Sequence, residues 1–470
     1  MQNEIKFIAG GITAPQGFSA SGFHCGIKAG REKNDTALVY SEKLCNAAGV
    51  FTSNRVKAES VKYTQKILAN GKAQAAIVNV GYANACTGKQ GAETARRMAD
   101  CTASALGISP EDVIVCSTGI IGQQVPVEKI EQNISNLKNA LSKEGHTDAS
   151  IGIMTTDTQN KECAVQFELD GKTVTIGTMC KGSGMIHINM GTMLGFITTD
   201  CSISRKMLSK ALHESILGTY NCVSVDGDTS TNDTLTILAN GMAGNKKIKS
   251  AGKNYDKFLH ALNSLNKIMA MKIAADGEGA SRLIECTVTG AKSVKTARIL
   301  AKEIIRSNLV KAAMFGKDAN CGRILCAMGY SGADFNPEKT CVYFSSKENG
   351  KRFFEVSADG NEKIYSDDRI EVVHNGTGLS FDEEKAQKMG KHVAAPRLIG
   401  SQMVFARIQS EKDLIPGKWG IPEPKKNCPV IREHDSRTVV IMPGVAFDCS
   451  RNRIGYGGGY YDRYFAGYDS

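Results

Sequence analysis

The segment running from Lys181 through Gly182-Ser183-Gly184 to Gly191-Thr192 sets a threonine directly after a glycine, downstream of a Gly-rich loop bearing a lysine. A threonine hydroxyl is a weak nucleophile until a base takes its proton. Cutting the chain just before Thr192 supplies that base, because the freed α-amine has a pKa of about 8 and sits on the same residue. Gly191 lacks a Cβ and so leaves room for the tight turn such a cut needs. Read alone, a Gly-Thr pair is a turn, and other motifs must decide between the two readings.

Those motifs come in order along the chain. Before the Gly-Thr pair lie Gly10-Gly-Ile-Thr-Ala-Pro-Gln-Gly17, Ala48-Gly-Val-Phe-Thr-Ser-Asn-Arg55, Ser117-Thr-Gly-Ile-Ile-Gly122 and Met154-Thr-Thr-Asp-Thr158. After it lie Val225-Asp-Gly-Asp-Thr-Ser-Thr-Asn-Asp-Thr234, Asp276-Gly-Glu-Gly-Ala280 and Lys317-Asp-Ala-Asn-Cys-Gly-Arg323. Their types and order resemble the ornithine acetyltransferases, N-terminal-nucleophile acyltransferases of arginine biosynthesis, from the start to about residue 388.

The resemblance implies a set of roles. Thr192 is the nucleophile, freed by self-cleavage of the Gly191–Thr192 bond. Thr118 and Gly119 form the oxyanion hole, each able to stabilise a developing O⁻ by about 3 kcal/mol. Thr155, Lys181, Thr192 and Glu278 bind substrate. Lys181 suits the carboxylate of an amino acid and Glu278 its amine. The implied reaction moves an acetyl group from N2-acetyl-L-ornithine to L-glutamate, with acetyl-CoA open as a second donor. No metal or prosthetic group is implied. The implied assembly pairs an α chain, residues 1–191, with a β chain, residues 192–388, as a heterotetramer acting on small amino-acid substrates. His187-Ile188 stands where the family usually has Ala-Pro, and Gly191 where it has Ala.

The elements that must hold these residues alternate without strict βα order. Val127–Leu141 and Ala297–Ile305 repeat apolar residues at helical spacing. Val113–Cys116, Thr173–Ile176, Leu283–Val288 and Cys341–Phe344 read as strands, rich in β-branched residues and bounded by turn formers. This pattern predicts an α+β fold in layers. The resemblance narrows it to the layered αββα fold of N-terminal-nucleophile proteins, as in ornithine acetyltransferases and DmpA-like enzymes.

The 470 residues are 41% apolar and 23% charged, an ordinary globular balance, with a formal charge of +10. The basic residues are mixed with acids and there is one tryptophan, which disfavours nucleic-acid binding. No apolar run approaches the ~20 residues that span a bilayer, and the opening Met1-Gln-Asn-Glu-Ile-Lys6 has no basic region followed by an apolar run, so a secretory signal is not expected. Fifteen cysteines lie scattered without a C-x-x-C pair, which suits a reducing cytoplasm.

From about residue 389 to 470 the composition changes. Gly417-Lys-Trp-Gly-Ile-Pro-Glu-Pro424, Met442-Pro-Gly-Val-Ala-Phe-Asp448 and Gly455-Tyr-Gly-Gly-Gly-Tyr-Tyr-Asp-Arg463 resemble the second half of a 5-formyltetrahydrofolate cyclo-ligase. This partial α/β appendage carries Gly455, Gly457, Gly458 and Gly459, whose backbone can approach a nucleotide's phosphates, and Asp448, an oxygen ligand suited to Mg2+. The first half of that enzyme is missing here, as is the acyltransferase family's own tail. Two alternatives follow: an impaired chimera, or an ATP-dependent ligase. An aminopeptidase-like hydrolase is a third.

Overall fold

The computed structural model describes residues 5–28, 30, 32–187, 193–316, 318–345, 352–356, 361–365, 371–375, 379–380, 393–399, 402–416, 422–431, 446–447 and 453–454. The chain forms two compact units, Met1–Thr287 and Val288–Ser470.

In the first unit the strands are β1 (Lys6–Ile8), β2 (Phe18–Phe23), β3 (Thr36–Phe51), β4 (Lys72–Tyr82), β5 (Val113–Ile120), β6 (Lys161–Leu169), β7 (Lys172–Lys181), β8 (Ile186–His187), β9 (Leu194–Thr199), β10 (Ser224–Thr229) and β11 (Thr234–Ala239). Its helices are α1 (Glu59–Ile67), α2 (Gly88–Leu106), α3 (Val127–Asn139), α4 (His146–Gly152), α5 (Arg205–Leu217) and α6 (Lys253–Ala275). Nine strands join in the order β1-β6-β7-β9-β11-β3-β4-β5, with β2 also on β3, and β8 pairs β10 apart from them.

Strand β3 turns this one ladder into two layers. Its pairing with β4 jumps from Tyr40↔Ala75 to Cys45↔Ala73, a bulge that bends the strand. Its first half then belongs with β2, β4 and β5, and its second half with β11 and β9. Between the two halves lies one apolar core, in which Val39, Val78 and Ile114 meet Met179, Leu194 and Phe196. A second core packs Ile176, Ile197 and Ile237 under Leu208, Phe258 and Leu265 of α5 and α6. A third packs Leu38, Ile77 and Val115 under Met98, Ile130 and Leu137 of α2 and α3. The result is the expected αββα layering.

Burial on both faces explains the central strands. All six residues of β9 and all six of β11 are buried, so these strands do not alternate. In α3 the buried residues are Val127, Ile130, Ile134 and Leu137, one helical stripe. Leu283–Val288 corrects the sequence reading. It forms no strand, and Leu283 stays 39% exposed. A β-branched run that finds no partner strand gains nothing from its propensity.

The second unit opens with α7 (Val294–Arg306), α8 (Asn308–Phe315) and α9 (Cys321–Gly329). A five-stranded antiparallel meander follows: β12 (Val342–Ser345), β13 (Arg352–Val356), β14 (Asn361–Tyr365), β15 (Glu371–Asn375) and β16 (Leu379–Ser380). Strands β17 (Val393–Ile399) and β18 (Gln402–Ile408) form a hairpin in register from Val393↔Ile408 to Ile399↔Gln402. Short ladders of β19 (Leu414–Pro416) with β20 (Pro422–Pro424), of β21 (Val430–Ile431) on β18, and of β22 (Ala446–Phe447) with β23 (Arg453–Ile454) complete it. No described helix is long and apolar enough to cross a membrane.

Candidate active site

The C-terminal ends of β4 and β5 carry the first site residues. These strands run parallel, with Val80 opposite Thr118 and Gly81 opposite Gly119. Thr118 is buried at 5% exposure. Gly119 has φ +134, and a Cβ there would lie 2.2 Å from the carbonyl carbon of Gly81 and 2.6 Å from the amide nitrogen of Tyr82. Both features demand glycine, since the obstacle is backbone and cannot move aside.

Asn232 locks the same strand end. Its Nδ2 donates to the carbonyl oxygen of Ala83 at 2.5 Å and to that of Ser117 at 2.7 Å. The loop carrying it is fastened by the Ala48–Arg55 motif. Thr52 Oγ1 donates to the Ser230 carbonyl at 2.6 Å, and Asn54 Nδ2 to that of Thr229 at 2.9 Å.

On the neighbouring side, Asp157 organises the turn after α4. Its Oδ2 accepts from the Thr155 amide at 3.0 Å, and its Oδ1 from Lys161 Nζ at 2.6 Å and from the Gly182 amide at 2.8 Å. Lys161 also donates to Asp276 Oδ2 at 2.5 Å. Asp276 in turn accepts from the amide of Thr158 at 3.1 Å and from its hydroxyl. Burial raises the pKa of Asp157, but the charges of Lys161 and Lys181 overcome it and hold the carboxyl below its ordinary range. Burial likewise lowers Lys161, but Asp157 and Asp276 outweigh it and hold the ammonium above the ordinary lysine value. The triad is buried at Asp157 and Lys161, partly open at Asp276, and ionised at neutral pH.

Lys181 ends β7 and differs from Lys161. Desolvation dominates and lowers its pKa below the ordinary lysine value, although Asp157 and Asp233 push the other way. Glu278 follows α6. Its amide donates to the Ser183 carbonyl at 2.9 Å, and its Oε2 lies 2.0 Å from where a Gly184 Cβ would stand. The exposed Glu278 carboxylate therefore rests against the backbone of the Gly-rich loop.

One pocket of about 410 Å³ within the first unit gathers Thr118, Gly119, Thr155, Thr156, Lys181, Glu278, Asn232 and Lys28. Five residues singled out in the sequence thus meet in one place, in a volume suited to an amino-acid derivative. Gly191 and Thr192 lie outside the described residues. The described chain ends at His187, whose Nδ1 is 3.1 Å from Ser224 Oγ, and resumes at Met193. The Met193 carbonyl accepts from the Thr234 amide at 2.9 Å, and the next residue, Leu194, pairs with Lys181. Gly455, Gly457, Gly458, Gly459 and Asp448 also lie outside the described residues. Among the described residues, no group of three or more His, Cys, Asp or Glu could hold a metal ion.

Sequence reasoning missed Asp157, Asn232 and Lys28 as site residues. Asp157 and Asn232 sit inside quoted motifs, and the carboxylate four residues before Lys161 was a usable sign of a pair. Lys28 carried no local signal.

Residues 19–395 match the ArgJ family, and residues 383–469 match the 5-formyltetrahydrofolate cyclo-ligase family. The chain is 47% identical over 387 residues to the arginine biosynthesis bifunctional protein ArgJ of Caldanaerobacter subterraneus, covering 82% of this chain and 91% of that protein. It is 47% identical over 384 residues to ArgJ 1 of Clostridium acetobutylicum, covering 81% and 89%. A crystal structure of ArgJ from Bacillus halodurans is 39% identical and covers 40% of this chain and 100% of that one, at a TM-score of 0.38. With the family match extending from residue 19 to 395, the chain belongs to the ArgJ family.

Proposed function

We propose that this protein transfers the acetyl group of N2-acetyl-L-ornithine to L-glutamate through an acetyl-threonine on Thr192. Membership of the ArgJ family makes it an N-acyltransferase of arginine biosynthesis acting on small amino-acid substrates. The observation that carries the residue-level reading is the pocket that unites Thr118, Gly119, Thr155, Lys181 and Glu278.

Self-cleavage between Gly191 and Thr192 frees the threonine α-amine. That amine takes the hydroxyl proton as Oγ1 attacks the acetyl carbonyl carbon. The oxyanion forms beside Thr118 and Gly119. The acyl C–N bond then breaks, the proton passes to the departing ornithine amine, and acetyl remains on Thr192. In the second half the neutral amine of glutamate attacks this ester. The C–O bond breaks and the proton returns to the threonine hydroxyl. Lys181 holds the substrate carboxylate in both halves, Glu278 the δ-ammonium of ornithine, and Thr155 adds a hydroxyl.

The reaction so written calls for no metal or prosthetic group, and acetyl-CoA is a second donor to assay beside acetylornithine. The cleaved α and β chains would assemble as a heterotetramer in the cytoplasm. The match of residues 383–469 to the cyclo-ligase family favours a second reading, ATP- and Mg2+-dependent ligation by the appended segment. The experiment is to purify the full chain, sequence its N-termini, and incubate it with N-acetylornithine alone. Two chains, a new N-terminal threonine, ornithine release and an acetylated Thr192 support the transferase. A single uncleaved chain, with no acetyl transfer and none from Thr192→Ala, overturns it. Consumption of 5-formyltetrahydrofolate only with ATP supports the second reading.

A further inference from the structure

The two substrates of the proposed reaction make opposite demands on one pocket. Both bring a carboxylate for Lys181, but the side chain of N-acetylornithine ends in an ammonium and that of glutamate in a carboxylate. A pocket with Glu278 as its side-chain group alone would favour the donor and repel the acceptor. The pocket wall, however, holds a third ionisable side chain, Lys28.

Lys28 is exposed, and among the described residues it makes no ion pair. Its position is nonetheless set by a buried anchor. Asp35 is fully buried, and its two carboxylate oxygens accept from the amides of Cys25 and Ile27, each at 2.7 Å. The Asp35 carbonyl accepts from the Val80 amide at 2.8 Å, tying this loop to β4. Ile27 is buried at 1% exposure, so the next residue must face outward. The Lys28 Cβ stands 3.2 Å from where a Gly81 Cβ would be, and Gly81 backs onto Gly119. A lysine carried on such a pinned loop, at the edge of the oxyanion wall, has a fixed root and a free ammonium.

We propose that Lys28 recognises the γ-carboxylate of the acceptor glutamate, so that Lys28 and Glu278 together form a side-chain subsite that accepts either charge. This rests on the acetyl-transfer reading above. When the donor is bound, Glu278 pairs the δ-ammonium and Lys28, being flexible beyond its Cβ, swings toward solvent. When glutamate enters, Lys28 pairs its γ-carboxylate. No bond is made or broken by either group.

The test separates the half-reactions of the cleaved full-length enzyme. Donor loading is read as ornithine release, and acceptor turnover as the glutamate dependence of deacetylation. Lys28→Met should raise the KM for glutamate about tenfold, the scale of one hydrogen bond to a charged group. It should leave the donor KM unchanged or lower it, because a like charge near the δ-ammonium is gone. Discrimination of glutamate over glutamine as acceptor should fall by a similar factor, and Lys28→Arg should restore it. Equal rises in both KM values, or unaltered glutamate preference in Lys28→Met, would overturn the proposal. Failure of ornithine release in the unaltered enzyme would instead overturn the acetyl-transfer reading.

Discussion

Asp157 and Lys161 form a salt bridge of 2.6 Å whose side chains are 0% and 2% exposed, and Asp276 closes it from the far side at 2.5 Å. This buried triad joins the turn bearing Thr155, the Gly-rich loop at Gly182 and the start of the Glu278 loop. Three segments that lie at the pocket thus share one ionic node.

Removing Asp157 leaves Lys161 with Asp276 but takes from buried Lys161 and Lys181 the negative charge they share. Asp157→Asn is expected to lose about 3 kcal/mol of stability, read as a lower urea midpoint, and to raise KM for the donor through displaced Thr155 and Lys181. The pH dependence follows from the directions of the shifts. Asp157 and Asp276 are depressed, so their contribution is present above an unfolded value of about 3.9 and is lost as pH falls through the folded values. Lys161 is raised, so its contribution is complete below about 10.4 and is lost as pH rises through its folded value. Thermal melts across pH should show both edges in the parent and a weakened acid edge in Asp157→Asn.

Lys181 titrates in the opposite sense. Burial depresses its pKa, so the ammonium proposed to hold the substrate carboxylate is lost at lower pH than for an exposed lysine. The profile of kcat/KM for N-acetylornithine should fall on the alkaline side with a midpoint below about 10.4. In Lys181→Met the value should drop about a hundredfold and this limb should vanish. An unchanged limb in the variant would assign the titration elsewhere.

Two glycines in the pocket wall should respond differently to alanine. At Gly119 the new Cβ meets the Gly81 carbonyl carbon at 2.2 Å under a φ of +134, so Gly119→Ala should distort the wall proposed to hold the oxyanion. A loss of at least about a hundredfold in kcat is expected, with a lowered melting temperature. At Gly184 the new Cβ meets the Glu278 side chain, nearest at Oε2, 2.0 Å away, the far end of a flexible group. Gly184→Ala should keep its melting temperature and raise the donor KM several-fold, as steady-state kinetics will show.

Asn232 should matter through what it holds. Its amide nitrogen serves two main-chain carbonyls, of Ala83 and Ser117. Asn232→Ala leaves both without that donor and should cost about 2–3 kcal/mol together with a lower kcat. Asn232→Asp turns acceptor oxygens toward two carbonyl oxygens and should be worse than alanine in chemical denaturation. Equal stability of the two variants would refute the geometry.

The α+β class was legible along the chain because periodicity is written locally, whereas the αββα layering and the site residues were reached only through the family resemblance. Periodic apolar residues marked α3 and α7, while Thr118, Gly119, Thr155, Lys181 and Glu278, which read locally as turns and exposed groups, were singled out by the ordered motifs of the family and meet in one pocket. Leu283–Val288 shows the limit of such reading, since strand propensity says nothing of whether a sheet edge is free.

The amino-acid order by itself determined which groups are available: a threonine after a glycine, a lysine, an acid, and a set of ordered motifs that places the chain in its family. Only the tertiary structure decided that Asp157, Lys161 and Asp276 share one buried node, that Asn232 braces the strand of Thr118, and that Lys28 looks into the same pocket. The reason is that, apart from the local Asp157–Lys161 pair, these contacts join segments far apart in sequence. Whether an ionised group is held above or below its ordinary pKa depends on the water and charge that folding leaves around it.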